Sequence, residues 1–465
     1  MGFVLSILYF VTDYLTPTTL FGPLAPYRIE LILAVLILLV SLPKLATSFI
    51  SKTPQSLALF GLAFAGFLSI FIEARWARGG VQAFLEFLPS IFAYLLVCLH
   101  CNSKRKLQAI VFMLLFVCLF VIAQGYIDLR YGVPTGGPSL SEDEESAGLS
   151  LWNMEHPYLL PRGSDEGVPV YRLRGLGLIN DPNDFGQLTV CVIPLMFIFW
   201  RSKNLLWNIA CVLLPVSVLL FGTFLTHSRG ALVALTTMAV VAARRRIGTL
   251  PALLIAGGLF AGAMALHFTG GRAISVDAGE DRTALWGESL QLFKSHPLFG
   301  VGAGNLPDYL GHTAHNSVAV CAAELGIIGL FFWCLFLFPT MRDALALASP
   351  ARVSEAEQVE PEEEHLPLPA RKMDVIDKAE VNHLGRLMVL SLTGFLVAGW
   401  FLSRAFVMSF FLLGGMVEVV FELALQRGMI APRLPLARVI PYAAGLAISL
   451  VLLMYIMLRV ANLML

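Results

Sequence analysis

Thirteen stretches of this chain are apolar over lengths suited to membrane helices. They lie at about 2–15, 27–43, 55–72, 84–100, 107–124, 186–200, 204–224, 230–243, 250–268, 317–339, 384–402, 405–424 and 439–461. Inside a bilayer no water satisfies the backbone N–H and C=O groups, so long apolar spans pair them internally, as helices. The expected fold class is therefore all-α. The chain reads as a polytopic integral membrane protein with about 12–13 transmembrane helices and two long loops on one side. Composition agrees, with 57% hydrophobic and only 14% charged residues, where a soluble domain carries roughly a quarter charged. Several stretches fall short of the roughly 20 residues a span needs. Flanking residues must extend them, or they sit partly inside the bundle.

The formal net charge is zero, which gives no electrostatic footprint for nucleic acid. The seven cysteines lie within or at the ends of apolar segments and neither long loop has one. Disulfides are therefore not expected. Cys98 and Cys101 flank His100 in a C-x-x-C spacing with no second pair nearby, so no metal site is expected there. Residues 1–15 lack a basic n-region and a small-residue cleavage site, and read as a first anchor helix.

Basic residues in short loops set the orientation. Lys44 with Lys52, Lys104-Arg105-Lys106, Arg201 with Lys203, and Arg244-Arg245-Arg246 fall in alternate loops. These are assigned to the cytoplasm, which leaves loops 125–185 and 269–316 outside. The expected organisation is then 1–124, N-terminal helices; 125–185, first outer loop; 186–268, central helices; 269–316, large outer loop; 317–348, a membrane helix; 349–383, an acidic disordered cytoplasmic segment; and 384–465, C-terminal helices. Residues 133–150 also read as loosely held. The acidic segment, with Glu362-Glu363-Glu364 and four prolines, reads most simply as a solvated linker.

The arginines on the outer side are isolated in apolar sequence: Arg75, Arg78, Arg229 and Arg404. Such arginines are better candidates for a site than for a topology signal. Arg229 lies in Thr226-His227-Ser228-Arg229-Gly230. A tight turn explains the serine and glycine; an arginine next to hydrocarbon calls for an anionic partner, or for snorkelling to headgroups. In the large loop, Asp281 is expected to cap a helix running to about Lys294, with Leu285, Trp286, Leu290, Leu292 and Phe293 on one face. Arg282 sits at the start of that face, suited to grip a phosphate bidentately or to anchor at the interface. The glycines of His296-Pro297-Leu298-Phe299-Gly300-Val301-Gly302-Ala303-Gly304-Asn305 lack the strand and the Lys-Ser/Thr of a nucleotide loop. They are expected to turn tightly against the membrane surface.

His315 precedes a long apolar helix that Asn316 or Ser317 can cap. The field of a helix start disfavours imidazolium, so a neutral histidine able to accept a proton is expected. Nine residues on, Glu324 lies at hydrocarbon depth, where an ionisable group suggests function. In the first outer loop, Asp181, Asn183 and Asp184 suit turn and cap chemistry. Arg172 and Arg174 have no evident structural role.

Five pieces in order, R-L-R-G-L-G-L-I-N-D-P-N-D-F-G at 172–186, H-S-R-G-A at 227–231, R-T-A-L-W at 282–286, H-P-L-F-G-V-G-A-G-N at 296–305 and H-N-S with A-E-L-G-I-I-G at 315–329, resemble the bacterial O-antigen ligase and polymerase family. The resemblance implies a multi-pass glycosyltransferase of the bacterial inner membrane that takes a glycan from undecaprenyl diphosphate on the periplasmic face. Its partners would be that lipid-linked donor, a glycan or lipid acceptor, the surrounding membrane lipids and an envelope polysaccharide export machinery. It implies no metal and no cofactor. By motif, Arg229 and Arg282 would hold the diphosphate, with Arg174 or Arg172 beside them. His315 would be the base, with Asn316, Glu324 and Asn183 supporting. The apparent thirteenth helix and the acidic insertion depart from the family pattern. Two other readings stand beside it: a transporter or flippase of an anionic solute or lipid, which should show polar residues at the midplane in matched halves, and a non-catalytic scaffold of an envelope assembly.

Overall fold

All thirteen apolar stretches are helical along most of their length in the computed structural model, which describes residues 1–45, 53–133, 152, 155–162, 170–266, 268, 277–348 and 377–464. The chain is a multi-pass, all-α membrane protein. Among the described residues, nine helices are long and apolar enough to cross a bilayer. Two shorter apolar helices are Gly2–Leu15 and Thr249–Ala265. A two-stranded antiparallel hairpin, β1 (Leu159–Arg162) and β2 (Val170–Leu173), sits in the first long loop with Leu159 opposite Leu173.

Burial separates centre from rim. The apolar windows of Met408–Leu425 and Ser317–Ala348 are 89% and 78% buried, while Leu205–Leu225 and Leu436–Val460 are only 22% buried. The first pair forms the middle of the bundle. Small residues allow the close approach that membrane packing relies on. A Cβ on Gly414 would lie 2.4 Å from the Phe336 ring, and one on Gly415 would lie 3.0 Å from Val97 Cβ.

Helix direction sorts the charges to two ends. Arg229 opens the Arg229–Ile247 helix and Arg244, Arg245 and Arg246 fill its last turn, roughly 22 Å apart at the usual rise per residue. Lys104 begins the Lys104–Ile127 helix at the second of these ends, where it pairs with Glu380.

Three expectations are corrected. Asp281 is not an N-cap: the helix begins four residues earlier, as Asp277–Ser295. Acidic residues suit a helix start through its dipole, and several stand near this one in sequence, so Asp281 falls inside the helix rather than at its cap. The acidic segment does not extend to 383. Asp377 Oδ1 accepts the Glu380 N–H at 2.7 Å and starts the Lys378–Gly399 helix. Its remainder to 376, like residues 134–150, lies outside the described residues.

The third correction concerns the glycine loop. Instead of turning on a surface, it inserts into a break in the Ser317–Ala348 helix. Gly326 there has φ 65° and ψ −164°, outside helical geometry. The amides this break releases find the loop: Ile327 N–H donates to Pro297 O at 2.8 Å, and Ile328 N–H to Leu298 O at 3.4 Å. In return Val301 N–H donates to Ala323 O at 2.9 Å and Gly302 N–H to Glu324 O at 3.1 Å. Non-helical backbone within an apolar bundle survives only where such partners exist.

Candidate active site

The turn between the Lys378–Gly399 and Met408–Leu425 helices organises one end of the bundle. Its backbone carbonyls and serine accept hydrogen bonds from the Leu88–His100 helix, the Ser317–Ala348 helix and the two residues before the latter. Asn316 Nδ2 donates to Trp400 O at 3.0 Å, Ser317 Oγ to Leu402 O at 2.7 Å, and Trp333 Nε1 to Ala405 O at 2.9 Å. Ser90 Oγ donates to Phe406 O at 2.7 Å. Ser403 Oγ accepts the His315 N–H at 2.8 Å.

His315 is exposed and has φ 49°, in the left-handed region. For a histidine that region costs roughly 1–3 kcal/mol and persists only where surroundings enforce it. Asn316 supplies the enforcement next door. It is fully buried, and its Oδ1 accepts the Val318 and Ala319 amides at 2.9 and 3.0 Å as the helix N-cap. A second histidine of the candidate motifs, His227, is also left-handed, at φ 48°. It sits two residues before Arg229, with Ser228 Oγ capping that helix through the Ala231 amide.

Arg282 is half-buried on the Asp277–Ser295 helix. One turn later, Trp286 donates from Nε1 to Ala314 O at 2.9 Å, directly before His315, and meets Trp400 edge-on at 6.3 Å. Arg229 begins its helix against the same turn, since a Cβ on Gly230 would lie 3.3 Å from Phe401 Cβ. The elements carrying Arg229, Arg282 and His315 thus all contact residues 400–403.

Arg172 has a structural role that its sequence context hid. Its guanidinium is buried on β2, where Nε donates to Thr226 O and Nη2 to Asn183 Oδ1, each at 2.9 Å. It fastens the hairpin to the His227–Arg229 turn and to the Pro182–Leu195 helix. Arg174 is also engaged, its Nε donating to Pro157 O at 3.0 Å. Burial lowers its pKa from the ordinary arginine value, with Asp181 opposing. Of the three acidic or amide residues that suited caps, Asp181 caps through the Asn183 amide, Asn183 receives Arg172, and Asp184 pairs with Arg404.

Arg404 belongs to this end as well. Burial pulls its pKa down, but the Asp184 carboxylate outweighs that and holds it above the ordinary value. Its backbone N–H donates to Ser317 Oγ at 3.1 Å. Its isolation between two apolar stretches was the sequence signal; Ser403 and Trp400 carried none. Glu324 is not part of the His315 group. It lies about two turns into the bundle, where it lines a separate cavity of about 240 Å³ with Glu86, Gly304 and Phe406.

Residues 184–334 match the family model described as O-Antigen ligase. This region is similar to the O-antigen ligase family. The match covers roughly a third of the chain and includes Arg229, Arg282, His315, Asn316 and Glu324. Arg172, Arg174, Asn183 and Arg404 lie outside it. No curated protein matches the chain. The match supports a membrane glycosyl-transferring activity of the O-antigen ligase type in general terms.

Proposed function

We propose that this protein, whose residues 184–334 match the O-antigen ligase family model, transfers or polymerises an undecaprenyl-diphosphate-linked glycan at the periplasmic face of the inner membrane. The supporting observation is the convergence on residues 400–403. One turn ties together the helix start of Arg229, the tryptophan one turn from Arg282, and the backbone of His315.

Transfer from a lipid diphosphate breaks the bond between the anomeric carbon and the diphosphate oxygen. It forms a bond from that carbon to an acceptor hydroxyl oxygen. The leaving diphosphate gains negative charge and the hydroxyl loses a proton. In this reading Arg229 and Arg282 take the diphosphate oxygens, because guanidinium stays charged at any relevant pH and grips phosphate in a fork. Fixed positive charge aimed at the leaving group is usually the largest single contribution to lowering such a barrier. His315 takes the hydroxyl proton. Arg172 acts through Thr226 and Asn183, positioning the Arg229 turn, and Arg174 anchors the hairpin. Arg404, the half-buried partner of Asp184, adds positive potential.

The test is transfer of glycan from a purified undecaprenyl-diphosphate donor by the full chain in lipid nanodiscs. Arg229→Ala and Arg229→Lys should both lose most transfer at normal protein level, since lysine keeps the charge and loses the fork. Full transfer in the alanine variant would refute the assignment.

A further inference from the structure

A cleft of about 510 Å³ opens at the end of the bundle opposite His315, among the Pro182–Leu195, Arg229–Ile247, Ser317–Ala348 and Lys378–Gly399 helices. Its size falls within the roughly 300–1,000 Å³ typical of ligand pockets. Its walls are apolar, with Leu235, Met238 and Leu390 among them. Its mouth is basic. Arg244-Arg245-Arg246 come from the last turn of one helix, and Arg386 from the first turns of another. All four arginines are exposed, and no carboxylate lines the cleft among the described residues.

Helix-end arginines alone would need no ligand, because a helix C-terminus favours cations and short basic loops mark one membrane side. Arg386 is not a helix-end residue. It lies about two turns into the Lys378–Gly399 helix, beyond the reach of the helix-end dipole, yet it joins the same mouth. An apolar slot between helices, crowned by arginines from two elements, suits an acyl chain below and a phosphodiester above. We propose that this cleft binds an anionic phospholipid, its headgroup on Arg244, Arg245, Arg246 and Arg386 and one acyl chain between Met238 and Leu390. The site is separate from the glycan-transfer end and does not depend on the reading of that end.

The experiment uses the full chain in phosphatidylcholine bilayers with trace spin-labelled phosphatidylglycerol or phosphatidylcholine. The immobilised fraction of each probe gives the preference. The wild-type chain should favour phosphatidylglycerol by about tenfold or more. Arg386→Gln should lower that preference several-fold, and the fourfold glutamine variant of the arginines should bring it near one. Ala239→Trp, which fills the slot and leaves every arginine in place, should also abolish it. The thermal midpoint of each variant, measured alongside, confirms folding. A preference that survives Ala239→Trp in a folded protein would mean general attraction to basic loops and would overturn the cleft. So would a wild-type chain without preference. A preference appearing only after deletion of 351–376 would make the chain's own glutamate-rich run the occupant, and would overturn the lipid site too.

Discussion

The backbone N–H of His315 donates to the hydroxyl of Ser403, 88 residues further along the chain, at 2.8 Å. That bond joins a strained, exposed histidine to the turn on which three helices converge. A single hydrogen bond of this type is worth about 0.5–1.5 kcal/mol. Ser403→Ala should therefore lower stability by about 1 kcal/mol. Loosening the loop should cost about threefold to tenfold in transfer rate. Because Ser403 acts through His315, the loss should fall on kcat rather than KM, and Ser403→Thr should restore most of it. An unchanged kcat in the alanine variant would show that the tether does not position the histidine.

The left-handed backbone of His315 allows its chemical role to be tested apart from its fold. Asparagine is enriched in that conformation. His315→Asn should keep the protein level and thermal midpoint of the wild type while losing at least about 100-fold in transfer, the lower range for general-base assistance. His312→Asn, at an exposed position three residues away, should cost far less. Under the proposed mechanism transfer should also persist in EDTA. Near-normal turnover in His315→Asn, or loss in EDTA reversed by a divalent ion, would remove the histidine–arginine mechanism.

The helices were legible because a membrane span is written locally, as an unbroken apolar run. Ala323 to Gly329 lies inside such a run, interrupted only by Glu324, and there the same logic fails. Its break at Gly326 is maintained by Pro297 and Leu298, contacts no periodicity encodes. The arginines were legible as energetically costly residues, but not their uses. Arg172 and Arg229 stand in similar apolar surroundings. One commits its guanidinium to Thr226 and Asn183, the other begins a helix at the candidate site. Only tertiary contact separates them. Asp281 was misplaced because several acidic residues in sequence suit a helix start equally.

Gly300 and Gly326 are predicted to tolerate no side chain. They have φ 70° and 65°, and a Cβ on either would lie 2.3 Å from backbone, of Glu324 and Leu298 respectively. Neither obstacle is the end of a flexible side chain. Left-handed strain and overpacking together should cost roughly 3 kcal/mol or more for Gly300→Ala or Gly326→Ala. Gly304→Ala, with φ 76° but open space around it, should lose only the conformational part. Thermal midpoints in one detergent give the order. Equal losses at all three positions would mean that the loop does not enter the helix break as described.

The last prediction concerns the centre of the bundle, far from His315. Glu418 is fully buried in the Met408–Leu425 helix, and Arg433 reaches it and Glu422 from the following loop. Arg433 also lies over the Phe421 ring, 5.1 Å from its centroid. Removing one member of a buried pair leaves the other desolvated and unmatched, which costs about 3–5 kcal/mol. Arg433→Leu should therefore sharply lower the thermal midpoint and yield. Replacing both charges removes the fully buried unmatched group and leaves only the half-buried Glu422 without this partner, so Arg433→Leu with Glu418→Leu should recover most of the loss. The double variant should retain transfer, because neither residue belongs to the candidate site. If the double variant is as unstable as the single one, the instability comes from lost packing of the arginine stem rather than from a stranded carboxylate.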